Sequence, residues 1–292
     1  MSDPADFIPA YVIVGANGML GRAWRELLEQ EQLNYLAYDR HQLDITDADA
    51  VAAKIAQDVR FVINGAAYTD VDGCEEHEAE AMRINAEGVG RLAERCAAIG
   101  ATLVHFSTDY VFAGDADTPY PVDAPIAPIS AYGRTKAAAE QAILDAGCSH
   151  RIIRTSWLYA PWGDNFVRTM MRLTQEKDTL SVVDDQRGRP TSARHLVAVT
   201  KQLLLHAPDG VYHVTDGGEC TWFEFTREIA RQAGHECDVR PCTTDQFPRP
   251  AKRPAYSVLD LSRTEAAVGP MPHWKDNLAT VLDEMMHPTP AP

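Results

Sequence analysis

Tyr132 and Lys136 stand four residues apart in Tyr132-Gly133-Arg134-Thr135-Lys136, a spacing that puts both side chains on one face of a helix. A phenol with an ordinary pKa near ~10 is a poor proton donor or acceptor at neutral pH, but a neighbouring ammonium favours the phenolate and draws the group toward the working range. Such pairs also occur as ordinary exposed neighbours, so the meaning of this one depends on what else the fold delivers. Upstream, Leu103–Phe106 reads as a strand that runs out into Ser107, Thr108 and Asp109. Open α/β sheets bind ligands at the C-terminal ends of their strands. A hydroxyl there, such as that of Thr108, can hydrogen-bond a carbonyl that Tyr132 protonates.

A second constellation lies near the start of the chain. Tyr11–Val14 is an apolar run that passes through Gly15-Ala16-Asn17-Gly18-Met19-Leu20-Gly21 into the helical stretch Arg22–Glu29. Glycine serves three ends in such a turn: a tight bend, backbone open to a pyrophosphate, and close packing of helix on strand. The helix start then offers free N–H groups and a partial positive charge to an anion. Asp39 follows Gly21 by 18 residues, at the end of a second strand, Tyr35–Tyr38. That is where dinucleotide-binding folds place the acid that accepts the ribose hydroxyls. Arg40 pulls the other way, because it suits a 2′-phosphate that Asp39 repels. Use of both NADH and NADPH is the expectation, and these two residues leave the preference between them open. Asp44, followed by Ile45, either meets the adenine amino group or serves as a turn or capping residue.

These groups need elements to hold them. The runs Tyr11–Val14, Tyr35–Tyr38, Phe61–Ile63, Leu103–Phe106 and Arg151–Arg154 read as strands, separated by helical stretches at Asp47–Gln57, Ala79–Ile99 and Ser130–Ala146. Strands alternating with helices imply right-handed crossovers and a doubly wound parallel sheet. The expected fold class is therefore α/β, a Rossmann-like sheet with a smaller C-terminal α/β substrate lobe. Residues 1–156 form the dinucleotide-binding domain, with a segment returning to it near 189–214. Residues 157–188 and 215–292 form the second lobe; after Trp157 the helical stretches are Phe166–Glu176, His195–His206 and Trp222–Ala233. A Pro-rich, frayed tail closes the chain from His287.

With 292 residues, 45% hydrophobic and 24% charged, the chain is long enough and apolar enough for one elaborated α/β unit or two lobes. Its formal net charge of -15 opposes nucleic acid and anionic membranes at long range and leaves small anions to local basic groups. Two stretches carry three cations and no acid each: Gln186–Arg194, with Arg187, Arg189 and Arg194, and Arg249–Pro254, with Arg249, Lys252 and Arg253. Arginine suits a diphosphate because its fork bonds bidentately. Six cysteines without a Cys-x-x-Cys pair read as reduced thiols in a cytosolic protein. Met1–Phe7 is polar and acidic, so neither export nor a membrane anchor is expected.

The chain resembles the extended short-chain dehydrogenases/reductases and, among them, the dTDP-4-dehydrorhamnose reductase family. The stretches that carry this are Gly15–Gly21, Asn64-Gly65-Ala66-Ala67-Tyr68-Thr69, Ser107-Thr108-Asp109-Tyr110-Val111-Phe112, Tyr132–Lys136, Arg154-Thr155-Ser156-Trp157-Leu158-Tyr159 and Asp185–Thr191. The resemblance implies that Thr108 polarises the 4-keto carbonyl of a dTDP-deoxyhexose and that Tyr132 is the proton donor. Lys136 would hold the nicotinamide ribose and lower the phenol's pKa. Gly15, Asn17, Gly18, Met19, Leu20, Gly21, Ala66, Ala67 and Tyr68 would line the cofactor groove. Asp109, Tyr110, Trp157, Asn165, Gln186 and Arg253 would meet the nucleotide sugar. Some members are joined as dimers through magnesium held by acidic residues; here Ala23 occupies the matching position of the first helix, which argues against a metal-bridged dimer. No metal is expected in the hydride step, and the chain is expected to be a monomer or a homodimer. Two rivals stay open: another sugar-nucleotide reductase or epimerase of this fold, and a non-catalytic subunit resembling the regulatory subunit of methionine adenosyltransferase.

Overall fold

A computed structural model of the chain describes residues 10–287; the expectations for Met1–Phe7 and for the tail beyond His287 lie outside the described residues. Strand β1 (Tyr11–Val14) is buried at every position and alternates between two cores, Tyr11 and Ile13 on one face and Val12 and Val14 on the other. Helix α1 (Met19–Gln30) lays Trp24 and Leu28 into the first of these. After β2 (Tyr35–Tyr38), the Asp47 side chain caps α2 (Ala48–Lys54) by accepting from the N–H groups of Asp49 and Ala50. This helix is shorter than the expected 47–57, because Ile55 turns extended and buries its side chain in the second core.

Strand β3 (Phe61–Asn64) leads to α3 (Gly73–Glu76) and α4 (Glu78–Met82), then to a π turn at Arg83–Glu87 and α5 (Gly88–Ile99). The expected single helix over 79–99 thus contains a wide turn, which aims Asn85 inward. Its amide takes the Tyr68 N–H at 2.7 Å and donates to the Tyr68 carbonyl and to Thr135 Oγ1, both at 3.0 Å. π turns are rare and concentrate at functional sites; this one pins the loop after β3 to the helix that carries Tyr132.

Strand β4 (Thr102–Thr108), α6 (Ala131–Ala146) and β5 (Ser149–Thr155) complete the first half. Then follow β6 (Leu158–Tyr159), α7 (Phe166–Glu176), β7 (Thr179–Val183), β8 (Arg187–Gly188), β9 (Thr191–Ser192), α8 (Ala193–His206) and β10 (Gly210–His213). The chain ends with β11 (Cys220–Thr221), α9 (Trp222–Ala233), β12 (Asp238–Cys242), α10 (Ser262–Val268) and α11 (Trp274–Met286).

Six strands form one parallel sheet in the order β10-β5-β4-β3-β1-β2. The order reverses between β1 and β3, so a crevice opens beyond the C-terminal ends of those strands, where such sheets bind ligands. Helices cover both faces, with Trp24 and Leu28 of α1 meeting Leu196 and Leu203 of α8 on one side. Val89 and Leu92 of α5 meet Ile143 of α6 on the other. A separate aromatic cluster joins α7, α9 and α11 through Val167, Phe225, Ile229, Trp274 and Leu278. Beside it lies the parallel pair β7–β12, which the sequence reading did not anticipate. All six cysteines are free thiols, four of them buried. Among the described residues no helix is long and apolar enough to cross a membrane.

Candidate active site

The crevice is a cavity of about 630 Å³. Its floor is the glycine turn after β1. Gly15 has φ +75°, and a Cβ there would lie 2.6 Å from the Ala66 nitrogen, while one on Gly21 would lie 2.3 Å from the Gly15 carbonyl oxygen. Both positions therefore require glycine. Gly18 begins α1 without a side-chain cap, and the first turn holds no acid, so its N–H groups remain open to an anion. Asn17, Gly18, Met19 and Leu20 line the cavity on this side, and Ala66 and Ala67 line it on the other. Asp39 accepts from Asn17 Nδ2 at 2.9 Å and from the N–H groups of His41 and Gln42, which holds its carboxylate at the end of β2; Arg40 is exposed. Asp44 accepts from Thr46 N and Oγ1, which hold its carboxyl below the usual range, and Ile45 is buried in the second core. Their contacts are those of a turn and of packing.

Tyr132 and Lys136 enter from α6, whose N-terminus is capped by Ser130. Gly133 lets this helix approach β4's extension, since a Cβ there would meet the Tyr110 carbonyl at 2.3 Å. As a result the Tyr110 and Tyr132 rings stand edge to face with centroids 5.9 Å apart. The Thr108 hydroxyl donates to Asp109 Oδ1 at 2.9 Å and accepts from the Tyr110 N–H. Lys136 is fully buried; its Nζ donates to the Phe106 carbonyl at 2.6 Å and lies 3.0 Å from His105 Nε2. One turn further on, Glu140 accepts from Ser107 and from Arg154, forming a buried ion pair beneath the site.

Burial sets the protonation states here. It pushes Lys136 down to about 7, opposed by Glu140, and pushes Asp109 up to about 6 against the hydroxyls of Ser257 and Thr108. The Tyr132 phenol is raised, first by burial and then by Asp109 and Cys74, with only Thr108 opposing. This reverses the expected direction. The physical reason is that burial outweighs everything else at the phenol, while Lys136 directs its bonds to the Phe106 carbonyl and His105.

The opposite wall is aromatic. Trp157, at φ +47°, stacks on Trp222 with ring centroids 3.5 Å apart and lies over Gly188, where a Cβ would strike its ring at 2.7 Å. A bulky residue held at positive φ is strained, and such strain concentrates at functional sites. Trp222 lines the cavity too, and no sequence signal singled it out. Thr155 lines the same cavity, and its Oγ1 is buried without a partner.

Tyr68, expected in the cofactor groove, is not among the lining residues, and three of the candidates for the nucleotide sugar also stand outside it. Asn165 caps α7 and donates to the carbonyls of Ala160 and Trp162, beside a separate cavity between α1, α7 and α11. Gln186 donates to Thr244 Oγ1. Arg253 pairs with Asp72 at 3.0 Å, although it lies close enough to oppose in part the burial that raises the Tyr110 phenol. The two stretches that are acid-free in sequence are not so in space: Arg187 meets Glu219 and Glu224, Arg194 meets Glu26 and Glu284, and Arg249 also meets Asp72. Arg189 alone among the arginines there has no ion pair among the described residues, and its Nε is buried without a partner. Ala23 is buried between α1 and the sheet.

A doubly wound sheet with a glycine turn after β1 and a Tyr/Lys pair on α6 beside the strand ends defines a short-chain dehydrogenase/reductase fold. Within that class, the chain belongs to the RmlD substrate binding domain family, whose model matches residues 10–287. It is 42% identical over 297 residues to the dTDP-4-dehydrorhamnose reductase of Streptomyces griseus, covering 97% of this chain and 98% of that one. Among solved structures, the dTDP-4-dehydrorhamnose reductase of Clostridium acetobutylicum superposes with a TM-score of 0.92 at 40% identity, over 94% of this chain and 99% of the other. The Bacillus anthracis enzyme, solved in complex with NADP, gives 0.90 at 38% identity over 94% of this chain and 98% of that one.

Proposed function

We propose that the chain reduces the 4-keto group of a dTDP-deoxyhexose, converting dTDP-4-dehydrorhamnose to dTDP-rhamnose with NADPH or NADH. The observation that carries this reading is the meeting, in one cavity, of the glycine turn, the Tyr132/Lys136 pair and the Trp157/Trp222 stack. When bound, the reduced nicotinamide supplies the hydrogen and two electrons that the carbonyl carbon accepts.

The chain's own residues do the rest. Glycine-turn amides and the open start of α1 take the cofactor diphosphate, and Asp39 takes the adenosine ribose. A raised phenol pKa keeps Tyr132 protonated at neutral pH, so it acts as the acid that protonates the carbonyl oxygen as negative charge develops there. Thr108 turns its hydroxyl from Asp109 to the same oxygen. Lys136 holds the nicotinamide ribose, and Trp157 and Trp222 form the face against which the sugar packs and from which water is excluded. Residues 1–156, with the return near 189–214, make the cofactor lobe, and 157–188 with 215–292 the sugar-nucleotide lobe. The six free thiols are consistent with a reducing compartment and support a cytosolic enzyme, acting as a monomer or homodimer.

The test follows nicotinamide absorbance with dTDP-4-dehydrorhamnose, beside Tyr132→Phe. Turnover by the native protein is expected, with a loss of roughly 10²–10⁴-fold in the variant. Retained NAD with epimerisation and no net oxidation of NAD(P)H would defeat the reading, as would full activity in Tyr132→Phe.

A further inference from the structure

Behind Tyr132, Lys136 continues inward through two polar side chains, His105 and Asn64, that the proposed reaction does not use. Asn64 ends β3, His105 lies within β4, and Lys136 is on α6; their exposures are 2%, 1% and 2%, so each polar atom must be matched inside the protein. The Ala66 N–H donates to Asn64 Oδ1 at 3.1 Å, and Asn64 Nδ2 lies 3.1 Å from His105 Nδ1. His105 Nε2 lies 3.0 Å from Lys136 Nζ, which also donates to the Phe106 carbonyl.

A neutral imidazole has one N–H and one bare nitrogen, which leaves two polarities for this chain. With Asn64 Oδ1 on the Ala66 N–H, the Asn64 amide donates to Nδ1, Nε2 carries the hydrogen, and Lys136 must receive it as an uncharged amine. With Lys136 as an ammonium, Lys136 donates to Nε2 and Nδ1 carries the hydrogen. Asn64 must then turn its oxygen to His105 and its NH₂ to the Ala66 N–H, where two donors face each other. A hydrogen-bond acceptor placed at Ala66, on the cavity surface, removes that conflict.

We propose that Asn64 and His105 form a hydrogen-bond polarity switch that ties the charge of Lys136 to the partner of the Ala66 N–H. In the free protein Asn64 serves that amide and Lys136 is neutral. When an acceptor atom of a bound nicotinamide dinucleotide takes it, Asn64 turns and His105 moves its hydrogen from Nε2 to Nδ1, and Lys136 takes a proton from solvent. The inference rests on the proposed function only in placing a dinucleotide in this groove. His105 is a positioning residue, acting through Lys136. Burial and Lys136 hold His105 well below the usual imidazole range, so it stays neutral, as two tautomers require. The other titratable groups around Lys136 are Glu140 and Tyr132 on its own helix, Arg154 of β5 held against Glu140, and Asp109 beyond β4.

The test is long-range ¹H–¹⁵N correlation on histidine-labelled protein, with the His105 signal assigned by its loss in His105→Gln. On the alkaline side of neutrality the free protein shows the Nε2–H tautomer; saturation with NADP⁺ converts it to Nδ1–H, and so does acidifying the free protein through about 7. In Asn64→Asp a carboxylate accepts from both Ala66 N–H and His105 Nδ1–H, so Nδ1–H is expected throughout, with the alkaline limb of kcat/KM moved up by about one pH unit or more. A single tautomer in all native conditions overturns the switch, and native-like switching in Asn64→Asp overturns the role of Asn64. If fluorescence titration shows no NADP⁺ binding, the cofactor reading fails while the acid-driven change still reports on the switch. An acid-driven change without one from bound NADP⁺ overturns the coupling to Ala66.

Discussion

The two walls of the cavity are built on opposite terms. On the sheet side, Tyr132, Lys136, Asp109, His105 and the Glu140–Arg154 pair are polar groups held in a space that resists charge, and burial displaces the pKa of Tyr132, Lys136, Asp109 and His105. On the other side, Trp157 and Trp222 stack, Phe166 and Phe225 back them, and Trp274 meets Phe225 edge to face. One wall sacrifices stability to hold reactive groups in set states; the other gains stability from the same area that grips a ligand. Chemistry demands particular residue types at fixed spacing, whereas grip demands only shape and apolar surface.

Substitutions on each wall should separate these terms. The largest effect belongs to Tyr132→Phe, whose loss of roughly 10²–10⁴-fold should fall on kcat, with NADPH affinity held within about twofold by direct titration. Comparable losses in both would mean that the phenol mainly shapes the groove. Next is Lys136→Met. Below about 7 the native protein carries a buried ammonium; between there and the ordinary lysine value of 10.5 the folded state binds fewer protons than the unfolded one, so stability rises with pH. The variant should therefore be more stable by roughly 1–4 kcal/mol on the acid side, with the advantage shrinking toward alkaline pH in denaturant titrations. In the native enzyme kcat/KM should fall as pH rises through about 7, following loss of the same proton.

Gly21→Ala, whose Cβ would lie 2.3 Å from the Gly15 carbonyl, should cost about 1–3 kcal/mol, read as a cofactor Kd raised ~5–150-fold. The smallest effect is expected for Trp222→Ala. Losing one ring of the stack should raise KM for the sugar nucleotide by ~2–10-fold, the equivalent of roughly 0.5–1.5 kcal/mol, and leave cofactor affinity alone. A fall in kcat without a change in KM would place Trp222 with the reactive wall instead.

The same contrast explains what the sequence disclosed. The five strands at Tyr11, Tyr35, Phe61, Leu103 and Arg151 announce themselves as short apolar runs between helices, and the glycine turn and Tyr132/Lys136 are local spacings. His105 is different: inside a buried strand it reads as one more core residue, and only the approach of Asn64 and Lys136 gives it a role. Trp222 and Trp157 meet across 65 residues of chain, so neither position predicts the other. The arginine-rich stretches misled for the same reason, since Asp72, Glu26 and Glu284 reach them from distant elements. Nor does any local pattern foretell that the phenol would be raised, because desolvation belongs to the finished packing and not to the Tyr–Lys spacing.

The position of β10 bears on how this molecule is made. Among the described residues it is the only strand that covers the outer edge of β5, and its first residue, Gly210, emerges 55 residues after Thr155. During synthesis β5 must wait, its backbone donors and acceptors bare, until α7, β7 and α8 have also left the ribosome. A truncated product ending near residue 156 would keep that edge exposed as a template for other chains, so aggregation rather than a soluble cofactor-binding fragment is the expected fate of a chain cut there.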